Sequence, residues 1–124
     1  MAKILVVDDD AWNLKLAITV LEQAGHEVLS AESGAEGIEA ALAHAPELVL
    51  MDVQMPGMDG ITALKRLRAD PRTAALKVAA LTALAMKGDR ERLLAGGFDG
   101  YLEKPIRHKE FLASIVALLE GKHE

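Results

Sequence analysis

Residues 48–60 read LVLMDVQMPGMDG. The run 48–53 is apolar except for Asp52, and it stops in a loop carrying Pro56, Gly57 and Gly60. A short apolar run bounded by turn residues reads as a strand buried on both faces, the kind found in parallel sheets. A carboxylate at the end of such a strand costs several kcal/mol if it stays charged and unpaired. Asp52 therefore requires a partner that its own strand does not supply.

Outward from this stretch, the chain alternates strand and helix. Strands are expected at 3–8, 26–31, 47–52, 77–81 and 99–103, where β-rich apolar segments occur. Helices are expected at 11–24, 33–45, 60–69, 85–95 and 108–120. Leu14, Ala17, Ile18 and Leu21 recur at i, i+3, i+4 and i+7 in the first helix. Asp10 is placed to cap it and Gly25 to stop it. Ser33 and Glu36 stand at capping-box spacing before the second. The third ends before Pro71, since the residue preceding a proline disfavours helix. Five strands alternating with five helices imply parallel βαβ units with helices on both faces of one sheet. The expectation is an α/β, doubly wound single domain over residues 1–124, with no internal repeat or linker.

Composition narrows the function classes. The hydrophobic fraction of 51% supports an independent core, and 3% aromatics make that core Leu, Ile, Val and Ala. A net charge of −5 argues against nucleic acid as a direct partner, because a phosphate backbone requires a basic face. With no cysteine there is neither disulfide nor thiol chemistry. No apolar run approaches the roughly 20 residues of a membrane span, and the short run at 4–7 is followed by three acids rather than a signal cleavage site. The expected location is the cytoplasm, with no membrane contact.

Ligands of open α/β sheets bind beyond the carboxyl ends of the strands. Strand one ends in Asp8-Asp9-Asp10, strand three in Asp52, strand four in Thr82 and strand five in Glu103-Lys104-Pro105. Three acids in a small volume repel one another, which should raise at least one of their pKa values. A hard divalent cation relieves that conflict, and Mg2+ takes carboxylate and phosphate oxygens. Singly, each residue has a plainer reading. Asp8–Asp10 could form a solvated turn with a cap, Asp52 could cap a loop, Lys104 could be solvated, and Thr82 could be a core-edge hydroxyl. Their shared rim is what favours a site.

The stretches ILVVDDD (4–10), LVLMDVQMPGMDG (48–60), VAALTALAMKGD (78–89) and GYLEKPI (100–106) resemble the receiver domain of two-component response regulators. The resemblance covers residues 3–119, and residues 82–97 look most like the DivK-like single-domain type. It implies a flavodoxin-like sheet of order 2-1-3-4-5. It implies that Asp52 accepts a phosphoryl group from a histidine kinase or a histidine phosphotransfer protein. Mg2+ would be held by Asp9 and Asp52, by Asp8 mainly through a water, and by the backbone carbonyl of Gln54. Lys104 would pair with phosphoryl oxygens and Thr82 would hydrogen-bond one. Tyr101 would join Thr82 in a conformational switch. A face of helix four, strand five and helix five, including Met86, Lys87, Arg90 and Tyr101, would contact a downstream protein effector. The protein would be a monomer or a phosphorylation-dependent dimer. It would catalyse only its own phosphorylation and dephosphorylation.

Leu84 carries no group able to orient a hydrolytic water, so the phosphorylated form should persist for minutes or longer. Met55 and Met58 read as packing. Trp12, three residues after Asp9, is a candidate fluorescent reporter of the metal. The Lys104-Pro105 bond is expected to be cis. A DNA-binding output is not expected, since little sequence follows 119. The rival reading is a haloacid-dehalogenase-type phosphatase with Asp8 and Asp10 as its D-x-D pair. The loop at 52–60 and the Lys104-Pro105 pair have no place in that enzyme.

Overall fold

The computed structural model describes residues 2–83 and 88–120. In chain order the elements are β1 (Lys3–Val7), α1 (Ala11–Gln23), β2 (Glu27–Ala31), α2 (Gly34–His44), β3 (Leu48–Asp52), α3 (Gly60–Ala69), β4 (Lys77–Thr82), α4 (Asp89–Ala95), β5 (Gly100–Glu103) and α5 (His108–Leu119). The strands form one parallel sheet in the order β2-β1-β3-β4-β5. Fold class and strand order are as expected, and β3 is buried along its whole length.

The period of two along a strand splits the core in two. Ile4 and Val6 of β1 and Leu48 and Leu50 of β3 face α1 and α5, where they meet Leu14, Leu21, Phe111 and Ile115. Leu5 and Val7, with Val49 and Met51, face the other way, onto Ala41, Leu64, Leu67 and Leu93 of α2, α3 and α4. Met55 is buried in this second core and Met58 packs against it, in keeping with a packing role. Each large aliphatic side chain so buried contributes about 1.5–3 kcal/mol.

Local chemistry sets the ends. The Asp10 carboxylate accepts the N–H groups of Trp12 and Asn13 at 2.9 and 3.2 Å, capping α1. The helix closes in a Schellman turn: Gly25, at φ 93°, donates to the Glu22 carbonyl and His26 to that of Leu21. Ser33 accepts from the Glu36 N–H, while the Glu36 carboxylate reaches back one residue further than expected, to the Glu32 N–H. Asp70, before Pro71, is extended at φ −98° and ψ 122° and ends α3.

Helix α4 is shorter than its expected span of 85–95. Gly88 sits in the left-handed region at φ 92°, outside the helix, which begins at Asp89. Residues 85–87 of that span lie outside the described residues, as do Leu84, Met86 and Lys87 of the tuning position and the expected output face. Strand β5 starts one residue late because Asp99 is diverted. Its carboxylate accepts the Val78 N–H at 2.8 Å and pairs with Arg68, also at 2.8 Å.

Candidate functional site

Parallel pairing aligns the strand ends. Val7 lies beside Met51, Asp52 beside Leu81, and Thr82 beside Glu103. The residue following β1, the last residue of β3, the last of β4 and the residue following β5 therefore share one rim. The loop after β3 then doubles back tightly, and the Gly60 N–H binds the Val53 carbonyl at 3.0 Å. A Cβ at Gly60 would collide with the Asp52 carbonyl oxygen and the Val53 Cα. The glycine is thus what lets α3 start directly against the strand that carries Asp52.

Asp8 is fully buried, Asp52 is 3% exposed and Asp9 is exposed. One carboxylate oxygen from each lies within 4.8 Å of the others. Asp8 Oδ1 accepts the Asp10 N–H at 2.9 Å, and Asp52 Oδ1 accepts the Gln54 N–H at 3.3 Å. Lys104 Nζ stands 3.0 Å from Asp8 Oδ2 and 3.3 Å from Asp52 Oδ1. Lys104 is carried there by its backbone, whose N–H donates to the Thr82 carbonyl at 2.9 Å, and its bond to Pro105 is cis, as expected.

The electrostatics are those of a crowded anionic floor. The Asp52 carboxyl is pushed up to about 7, first by burial and then by the Asp8 charge, with Lys104 opposing. For Lys104, burial works against the ammonium, but the contacts with Asp8 and Asp52 outweigh it and hold its pKa above the ordinary lysine range. One lysine thus serves two buried acids. Asp8 Oδ2 accepts no well-directed hydrogen bond and relies on the ion pair alone. A buried carboxylate oxygen held only by an ion pair, beside two further carboxylates, is a donor set for a hard cation, and it fits Mg2+.

Thr82 is fully buried at the end of β4. By strand alternation it shares a sheet face with Ala80, the register partner of Tyr101, which is half-buried against the α2, α3 and α4 core. Burial, followed by the nearby Glu103 and Asp89 charges, raises the Tyr101 hydroxyl pKa. Arg90, Tyr101, Glu103 and Arg107 line a cleft of about 730 Å3 between α4, β5 and α5. Trp12 lies in the first turn of α1 with 74% of its surface exposed. Sequence reasoning passed over Asp89, buried and paired with Arg92 at 2.9 Å, and the Arg68–Asp99 clamp. Asp89 and Arg92 stand at i,i+3 in α4, a spacing that could have flagged them, whereas the Arg68–Asp99 contact depends on where a loop returns. Among the described residues no helix is long and apolar enough to cross a membrane.

Residues 4–116 match the family model described as the response regulator receiver domain. The polar-differentiation response regulator DivK of Brucella ovis is 38% identical over 116 residues, which is 94% of this chain and 94% of that protein. Among solved structures, the chemotaxis protein CheY4 of Vibrio cholerae superimposes with a TM-score of 0.88 at 28% identity, covering 95% of this chain and 98% of its own. A response regulator from Desulfuromonas acetoxidans gives 0.87 at 28% identity, with 97% and 98% covered.

Proposed function

Since the chain belongs to the response regulator receiver domain family, a family of signalling domains, we propose that it is a phosphoacceptor switch with Asp52 as the acceptor. The observation that carries this reading is the pairing of Lys104 with two buried acids, Asp8 and Asp52, at 3.0 and 3.3 Å. A structural ion pair would match one charge with one. Here the excess negative charge is left for a cation to neutralise, the more so once a phosphoryl group is added.

In the proposed reaction an Asp52 carboxylate oxygen attacks phosphorus in line. The bond from phosphorus to the donor's imidazole nitrogen breaks, and its electron pair leaves with that nitrogen. An acyl phosphate remains on Asp52. Such transfers need positioning and charge neutralisation more than covalent assistance from the protein. Lys104 follows the new charge from the carboxylate to the phosphoryl oxygens. Thr82 offers its hydroxyl to another of them, and Tyr101 on the same sheet face transmits the change towards α4. Asp9, Asp52 and the Gln54 backbone carbonyl would hold Mg2+, with Asp8 acting mainly through a water. When bound, the ion would supply positive charge to offset the phosphoryl oxygens. The donor is a histidine kinase or histidine phosphotransfer protein, and the cleft between α4, β5 and α5 faces the effector.

Acetyl phosphate with Mg2+ should label the protein once and chelation should prevent it, while p-nitrophenyl phosphate is not turned over. Steady hydrolysis of that monoester without labelled protein would return the chain to the phosphatase reading.

A further inference from the structure

We propose that the outer face of α2 and α3 docks a second copy of the chain, through a two-fold axis running along the helices that sets Glu39 of each copy against Lys65 and Arg66 of the other. The proposal goes beyond the acceptor reading and does not depend on it, since this face contains none of the rim residues.

Charge is divided along the sequence. Residues 16–64 contain eight acids and no lysine or arginine, whereas residues 65–72 contain four cations and one acid. The fold lays the boundary between these stretches along one surface. Helices α2 and α3 pack side by side on the same face of the sheet, around Ala41, Leu64 and Leu67. To solvent α2 presents Glu36 and Glu39, and α3 presents Lys65 and Arg66. Of the neighbouring cations, Arg68 pairs with Asp99 and Arg72 with Asp70, each at 2.8 Å. Glu39 and Arg66 make no ion pair among the described residues. Beside them runs a groove of about 700 Å3 with Ile38, Ala69 and Pro71 as its apolar lining and Arg66, Asp70 and Arg72 as its polar lining.

A two-fold contact needs a surface complementary to itself. An axis across the helices would lay α2 on α2 and oppose glutamate to glutamate. An axis along the helices lays α2 of one copy on α3 of the other, so that acid meets cation on both sides. Both helices run back from the rim, and this rotation keeps their depths. Ile38 and Arg66 line the same groove, and Glu39 is the sixth residue of α2 where Lys65 and Arg66 are the sixth and seventh of α3. Opposite charges thus meet at one depth, twice by symmetry, with Ile38 and Ala69 of both copies between them. Helices of 11 and 10 residues offer a patch at the small end of specific interfaces, so the dimer is weak and reversible. An unrelated acidic protein would suit Lys65 and Arg66 but would be repelled by Glu36 and Glu39, whereas a second copy satisfies both signs.

Sedimentation equilibrium of the full chain over a range of protein concentrations, at low and high salt, tests this. Wild type should pass reversibly from monomer to dimer without Mg2+ or acetyl phosphate, and salt should weaken the dimer. Arg66→Glu and Glu39→Arg should each weaken it about tenfold or more, since each sets two like-charge contacts across the axis. The double variant, Arg66→Glu with Glu39→Arg, should recover the wild-type dissociation constant to within about threefold. Both positions are exposed and both replacements are good helix formers, so the variants keep the fold. Asp52→Asn should dimerise as wild type does, and Arg66→Glu should accept from acetyl phosphate as wild type does, so either reading can fail without the other. Wild type that stays monomeric at every concentration would overturn the proposal and give the face to a different protein. A dimer that Arg66→Glu leaves intact, or one that forms only after acetyl phosphate and Mg2+, would overturn it by placing the contact on another face. Weakening in both single variants without recovery in the double would overturn the pairing of Glu39 with Arg66.

Discussion

In the metal-free protein Asp52 binds its proton far more tightly than an unfolded chain would, about pH 7 against an ordinary 3.8. Burial is the leading cause and the Asp8 charge the second. Between those values the folded state holds a proton that the unfolded state has lost. Stability therefore falls as pH rises through that window, and the whole penalty is present above it. Without Mg2+, Asp52→Asn should be more stable than wild type at pH 8 by about 1–3 kcal/mol, with the gap closing as the pH falls towards 4. Chemical denaturation at several pH values measures this, and a gap that is flat or widens towards acid would contradict it. A site that destabilises the empty protein in this way is poised to gain from a cation. At this scale the residue types were legible in the sequence, and so was the pKa conflict. The double pairing of Lys104 was not, because it depends on an angle of approach that spacing does not encode.

Two substitutions at the start of α3 separate stability from site geometry. Asp59 caps the helix by accepting the Thr62 N–H at 2.8 Å, and it touches none of the site carboxylates. Asp59→Ala should cost about 1 kcal/mol and leave Mg2+ affinity essentially unchanged. At Gly60 a methyl group would strike the backbone of Asp52 and Val53. Gly60→Ala should cost about 1–3 kcal/mol and weaken Mg2+ binding as well, because the strand end must move. Calorimetric titration of both variants decides it, and equal Mg2+ affinity in the two would refute the positioning role of Gly60. Most elements were readable because both signals that define them are local: a period of two or 3.6, and a cap. The exceptions have tertiary causes. Asp99 leaves its strand for Arg68 and Val78. Gly88 adopts a left-handed turn that shortens α4, against a helical pattern that runs through it.

Across the whole molecule, the sheet gathers at one rim residues that lie as far apart in sequence as Asp8 and Lys104, and core layers pack both faces of the sheet that carries it. Parallel order followed from the strand–helix alternation, and the order 2-1-3-4-5 followed from family resemblance, since no local pattern specifies which strands become neighbours. A cation bound only by the folded rim stabilises the entire domain. At 100 times its dissociation constant Mg2+ should add about 2.7 kcal/mol, with a parallel change in Trp12 emission. In Asp9→Ala both effects should require more Mg2+. Thermal melts with and without chelator test this, and an unchanged melting temperature would leave the acidic cluster without its cation. The assignment on which the rest depends is that of the acceptor. The most direct measurement is intact-mass and peptide-level mass spectrometry of wild type and Asp52→Asn after acetyl phosphate and Mg2+. The account predicts one phosphoryl group on the wild type, located in the peptide containing Asp52, and none on the variant. Equal labelling of Asp52→Asn, or a phosphoryl group mapped to Asp8 or Asp9, would contradict it.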